Sequence, residues 1–218
     1  MRRLVIFDVD GTLVDSQGHI HAAMSAAFEA EGFAAPDRAA VRGVVGLSLP
    51  QAVARLAGRP APDLVARYKE AYPALAPSHG SAEAAPLYPG ARAALDALAA
   101  RGLALGIATG KSRRGLGVVL ATHGLEGLFE TVQVADDHPS KPHPSMILAA
   151  LGEAGVEREA AVMLGDTVFD MDMAAAAGVP AIGVAWGYHA ADALREAGAR
   201  AVLGTYEDLL PGLEALWP

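Results

Sequence analysis

Cysteine is absent from the 218 residues. That removes disulfide frameworks, thiolate zinc sites and cysteine nucleophiles from consideration. Basic charge is scarce: 17 Lys and Arg stand against 25 Asp and Glu, for a formal net charge of −8. A field of that sign repels phosphate backbones, so no nucleic-acid partner is expected. No apolar run has the length needed to span a bilayer, and no membrane partner is expected. Arg2 and Arg3 ahead of Leu4–Phe7 resemble a signal start, but Asp8 cuts the apolar stretch short. The expectation is a cytoplasmic chain without an export signal. Lysine is the rarest basic residue, present only as Lys69, Lys111 and Lys141. In such a chain the position of each lysine is informative.

Apolar material is plentiful. At 52% hydrophobic the chain can bury a proper core, which sets disorder aside. Its length suits one large domain or two small ones. After Thr12 the pattern is helical up to about Glu83, with Gly and Pro breaks and no convincing strand. "SHGSAEAAP" (78–86) reads as a loop or linker. From there strands alternate with helices: "LALGIAT", "FETVQVA", "AAVMLGD", "PAIGVAW" and "RAVLG" read as strands. Alternation of this kind predicts a parallel sheet covered on both faces, and the apolar runs are those of fully buried strands. The strand Leu4–Phe7 finds no successor until Leu103. The fold class expected is therefore α/β: a Rossmann-like parallel sheet with helices on both faces, interrupted by a helical insert after the first strand.

Ligands of open parallel sheets bind beyond the carboxyl ends of the strands. The first strand delivers Asp8 and Asp10 there, followed by Gly11 and Thr12; the second ends in Thr109, with Gly110 and Lys111 behind it. Ser140, Lys141 and Pro142 follow the third, and the fourth ends in Asp166, with Asp170 four residues on. Burying carboxylates is costly unless they are paired or bind a metal. Carboxylate oxygens suit Mg²⁺, lysine suits phosphate as a point charge, and Thr109 with the backbone near Gly11 can donate to phosphate oxygens. One acid of the first pair can serve as a nucleophile and the other as a proton donor and acceptor.

These residues resemble the haloacid dehalogenase-like hydrolase superfamily. "DVDGT", "IATGK", "KPHP" and "GDTVFD" are similar to its four motifs, in its order. "LYPGARAALDAL" and "VAWGYHAADALREAGARAV" resemble the phosphoglycolate phosphatase branch. The resemblance implies an aspartyl-phosphate mechanism with Mg²⁺ as cofactor. It makes Asp8 the nucleophile and a metal ligand, and Asp10 the general acid/base with its carbonyl on the metal. Thr109 and Lys141 would hold the phosphoryl group, with Gly11 and Gly110 beside it. Asp166 would be a further metal ligand, supported by Asp170. It also implies a core of residues 1–16 and 84–218 and a helical cap of 17–83. In the cap, Arg42 would face the site and read a second anionic group on the substrate, or else be an exposed arginine beside turn glycines.

The expected activity is phosphatase action on a small phosphorylated metabolite, with 2-phosphoglycolate as a candidate. The alternatives are a mutase of the β-phosphoglucomutase type and a non-catalytic phosphate-binding module. Either a monomer or a homodimer is expected, the latter if the tail around Trp217 joins two copies rather than packing on the sheet. Lys111 has two readings of equal weight, added positive potential or a surface helix start. His19 and His21 read as solvated helix residues, His143 as loop and Asp172 as an exposed acid.

Overall fold

The computed structural model describes residues 2–75 and 85–217. Strands β1 (Leu4–Phe7), β2 (Ala104–Thr109), β3 (Thr131–Val134), β4 (Ala161–Gly165), β5 (Ala181–Val184) and β6 (Ala201–Leu203) form one sheet in the order β3-β2-β1-β4-β5-β6. Every pairing is parallel. Central strands are buried along their whole length, which is why their sequences are apolar without alternation. Side chains of successive residues leave opposite faces, and two cores result. Val5, Phe7, Ile107 and Leu164 meet helices α5 (Ala91–Ala100), α6 (Arg113–Thr122) and α10 (Leu209–Leu216) on one face. Leu4, Ile6, Ala108 and Met163 meet α7 (Ser145–Ala154), α8 (Val168–Ala177) and α9 (Ala191–Glu196) on the other. Trp217 packs into the first of these cores, donates from Nε1 to Glu159 O and lies under the Arg3 guanidinium.

Between β1 and α5 the described chain is helical: α1 (Gln17–Ala30), α2 (Arg38–Arg42), α3 (Leu49–Ala57) and α4 (Pro62–Ala74). These helices have a core of their own, with Ile20, Met24, Phe28, Val41, Val53 and Leu64. Local chemistry marks their starts. Asp37 caps α2 by accepting from Ala40 N–H at 2.7 Å, and Pro stands in the first turn of α3 and α4, where no intrahelical donor is lost. The expected boundary at 83/84 and most of the expected linker at 78–86 lie outside the described residues. The two legs that join insertion to sheet run side by side: Val14 forms an antiparallel bridge with Leu87, and Asp15 N–H donates to Pro86 O at 2.8 Å. Among the described residues no helix is long and apolar enough to cross a membrane.

Candidate active site

The direction of winding reverses between β1 and β4, the neighbours that lead into opposite halves of the sheet. A crevice opens at such a point beyond the carboxyl ends, and the acids gather there. Asp8 directly follows β1 and Asp166 directly follows β4. Carboxylate oxygens of Asp8, Asp166 and Asp170 lie within 4.8 Å of one another, and all three residues are buried.

Each acid is held by specific donors. Lys141 Nζ lies 2.8 Å from Asp8 Oδ1 and 2.6 Å from Asp170 Oδ1, with its side chain fully enclosed. The second oxygen of Asp170 accepts from Thr167 N–H and Thr167 Oγ1, closing a capping box at the start of α8. Asp166 accepts from Thr12 Oγ1 at 2.9 Å and from Tyr188 N–H at 2.8 Å. Asp8 Oδ2 stands apart, because it is buried and no hydrogen-bond donor among the described residues reaches it.

Crowding shows in the proton affinities. Burial pushes the Asp8 carboxyl up to about 7; Lys141 opposes this and the Asp170 charge adds to it. Burial also raises Asp166 well above the carboxylate range, with the charges of Asp8 and Asp170 adding. Burial alone would lower Lys141, but Asp170 and Asp8 reverse the sign and raise it. One ammonium, in contact with Asp8 and Asp170, thus serves a cluster of three acids. Three clustered carboxylates are an excess of hard donors that fits Mg²⁺.

Asp10 is set apart from this cluster and has its own partners. Lys111 Nζ contacts both of its oxygens, at 2.8 and 2.9 Å, and Ser16 Oγ donates to Oδ1 at 2.5 Å. Thr109 is buried at the end of β2, and its Oγ1 accepts from Lys111 N–H at 3.2 Å. Gly11 has φ +85°, and a Cβ there would lie 2.2 Å from Asp166 Oδ2; only glycine fits this turn. At Gly110 a Cβ would lie 2.6 Å from Leu47 O and 2.7 Å from Gly46 O. The loop of the insertion therefore sits directly on the end of β2.

Other contacts bind the insertion to the sheet edge. Ser48 N–H donates to Ser140 Oγ at 2.8 Å. Arg42 directs Nε and Nη2 to Tyr188 O, at 3.2 and 2.7 Å. Tyr188, on the loop after β5, packs in the hydrophobic core of the insertion. Phe169 of α8 packs with Val44, Leu47 and Ala52.

The sequence reading underrated several residues. Lys111 is not at the surface: its side chain is 8% exposed and paired with Asp10. His19 is buried, not solvated; its Nε2 lies 2.7 Å from Tyr72 O and its ring stands edge-on to Tyr72. Thr12, Ser16 and Tyr188 reach the acids unannounced. Only Thr12 carried a signal, its place beside Gly11. Asp172 is exposed and His143 lies in a loop, as expected.

The sequence profile described as "Haloacid dehalogenase-like hydrolase" matches residues 5–184. "Probable phosphatase IndB" of Dickeya dadantii is 36% identical over 99% of this chain and 95% of its own length. "Phosphoglycolate phosphatase" of Yersinia pestis is 34% identical over 97% of this chain and 93% of its own. Among solved structures, a hydrolase from Pseudomonas syringae superposes with a TM-score of 0.85 at 26% identity, covering 98% of this chain and 99% of that one.

Proposed function

Because the chain belongs to the haloacid dehalogenase-like hydrolases, we propose that it is a Mg²⁺-dependent phosphatase acting on a small phosphomonoester through an aspartyl-phosphate on Asp8. Similarity to phosphoglycolate phosphatases along nearly the whole chain makes 2-phosphoglycolate the first candidate substrate. The observation that carries the mechanism is Asp8 Oδ2, buried, unpartnered and fixed in direction because Lys141 holds its twin oxygen. A nucleophile must be pinned yet leave one lone pair free.

Asp8 Oδ2 attacks phosphorus, and the bond from phosphorus to the alcohol oxygen breaks. Asp10 gives its proton to the departing oxygen. It then takes a proton from water as the water oxygen attacks phosphorus, which releases phosphate and restores Asp8. Thr109, Gly11, Gly110 and Lys141 position the phosphoryl oxygens. Asp8, the Asp10 carbonyl and Asp166 would hold the magnesium, with Asp170 fixing Lys141 and the start of α8 beside them. When bound, the ion offsets negative charge on the carboxylates and the phosphoryl group. Residues 17–83 act as a cap that excludes water, with Arg42 at its seam to the sheet edge.

The test is phosphate release from a panel of small phosphomonoesters, with Mg²⁺ and with excess chelator. Chelator-sensitive release is expected. A folded, metal-loaded chain that releases phosphate from none of them would overturn the proposal in favour of a mutase or a silent binding module.

A further inference from the structure

Both lysines of the sheet edge bring Nζ to a carboxylate, but they are committed to different degrees. Lys141 is shared between two acids at 2.8 and 2.6 Å and is wholly enclosed. Among the described residues Lys111 has one acid partner, Asp10. Its other polar contact, Tyr72 Oη, is long at 3.5 Å, and its Nζ lies 5.4 Å from the centre of the Tyr72 ring. An ammonium has three donors to place. Asp10 would keep a partner if Lys111 turned away, since Ser16 Oγ already donates to its Oδ1. Lys111 can therefore swing without orphaning a buried carboxylate.

The side on which it sits is equally telling. Lys141 stands with Asp8, at the phosphoryl half of the site as proposed above. Lys111 stands with Asp10, the acid that must face the oxygen of the departing alcohol. Tyr72 of α4 covers the Lys111 Nζ, and His19 holds Tyr72 in place through its backbone oxygen. Arg42, another basic residue at the seam, spends Nε and Nη2 on the Tyr188 carbonyl. We propose that Lys111 is the specificity-determining residue that reads a carboxylate on the alcohol half of the substrate, in the space between Asp10 and Tyr72. This deepens the phosphatase reading and rests on it. The substrate class is a short phosphomonoester whose alcohol carries a second anionic group.

The experiment compares kcat/KM for 2-phosphoglycolate with that for ethyl phosphate, which lacks the carboxylate, in the wild type, Lys111→Met and Lys111→Arg. The wild type should favour 2-phosphoglycolate. In Lys111→Met that preference should fall by about 10- to 100-fold, as loss of one charge-assisted contact predicts, mainly through KM for 2-phosphoglycolate. Lys111→Arg should regain part of it. A role confined to orienting Asp10 would lower kcat on both esters alike and leave the ratio unchanged, which would overturn the proposal. A wild type that hydrolyses both esters without preference would also overturn it, with no variant needed, and would leave the phosphatase reading standing. A wild type that turns over neither ester, nor any of the wider panel, would end both.

Discussion

The sheet edge and the helical insertion meet at one seam, yet they bring different kinds of atom to it. The sheet edge contributes ionisable side chains, Asp8, Asp10, Lys111, Lys141, Asp166 and Asp170, nearly all buried and cross-linked by short contacts. The insertion contributes mostly backbone and neutral groups, Gly46 O and Leu47 O over Gly110, Ser48 N–H on Ser140 and the Tyr72 hydroxyl, with the Arg42 guanidinium on the Tyr188 carbonyl. A charge network of this density demands fixed geometry, since any unpaired member is costly. Neutral and backbone contacts are individually cheap to make and break. On the proposed reading, the reacting groups and Lys111 lie in the denser charge network, and the insertion covers them through contacts that can be exchanged.

The comparison breaks most easily at Asp8. Asp8→Asn should cut kcat by about 10⁴-fold or more while circular dichroism and melting stay close to wild type. Near-normal turnover would remove the nucleophile from the sheet edge. Lys141→Met tests the stiffness itself. It leaves Asp8 and Asp170 facing each other without their shared cation, and should destabilise the metal-free chain by about 3–5 kcal/mol in denaturant unfolding. An unchanged midpoint would show the network to be slack.

Gly110→Ala probes the seam from the sheet side. The new Cβ meets two insertion carbonyls below 3 Å, so the loop must shift. Turnover of the preferred ester should fall by about 10- to 100-fold in kcat/KM, with little change in melting temperature. Equal losses in stability and activity would mean that the insertion is as rigid a part of the fold as the sheet.

The smallest effect is the pH dependence. Asp8 and Asp166 bind protons more tightly in the folded chain than in the unfolded one. The folded state then carries more protons than the unfolded state between the ordinary carboxylate range and about 7. Stability of the metal-free protein should fall as pH rises through that window. The melting temperature should be about 3 °C or more lower at pH 8 than at pH 5.5, and Mg²⁺ should restore more of it at pH 8. A flat profile, with or without metal, would show that the carboxylates are not in excess.

The difference between the two regions also sets what could be read in advance. All six strands and the acids at their ends were legible, because buried parallel strands are uniformly apolar and a charged residue at such an end has few structural excuses. The rarity of lysine drew attention to Lys141, which lies buried between Asp8 and Asp170. Lys111 was undecided because the residue that encloses it, Tyr72, lies 39 positions earlier in the chain. His19 passed for a solvated helix residue for the same reason, since its cover comes from α4. Arg42 bonding to the Tyr188 carbonyl leaves no trace in composition, as any residue offers that acceptor.

The bridge between Val14 and Leu87 has a consequence for how this chain can be varied. It works like a pair of brackets: everything from α1 to the return leg begins and ends at one point on the sheet edge. A bracketed passage can be lengthened, shortened or exchanged without moving the text on either side. The entropic penalty is slight, about 0.6 kcal/mol for each doubling of a flexible loop. On the proposed reading, a chimera carrying another protein's helices between those brackets would keep the reacting groups and Lys111 and change only what covers them.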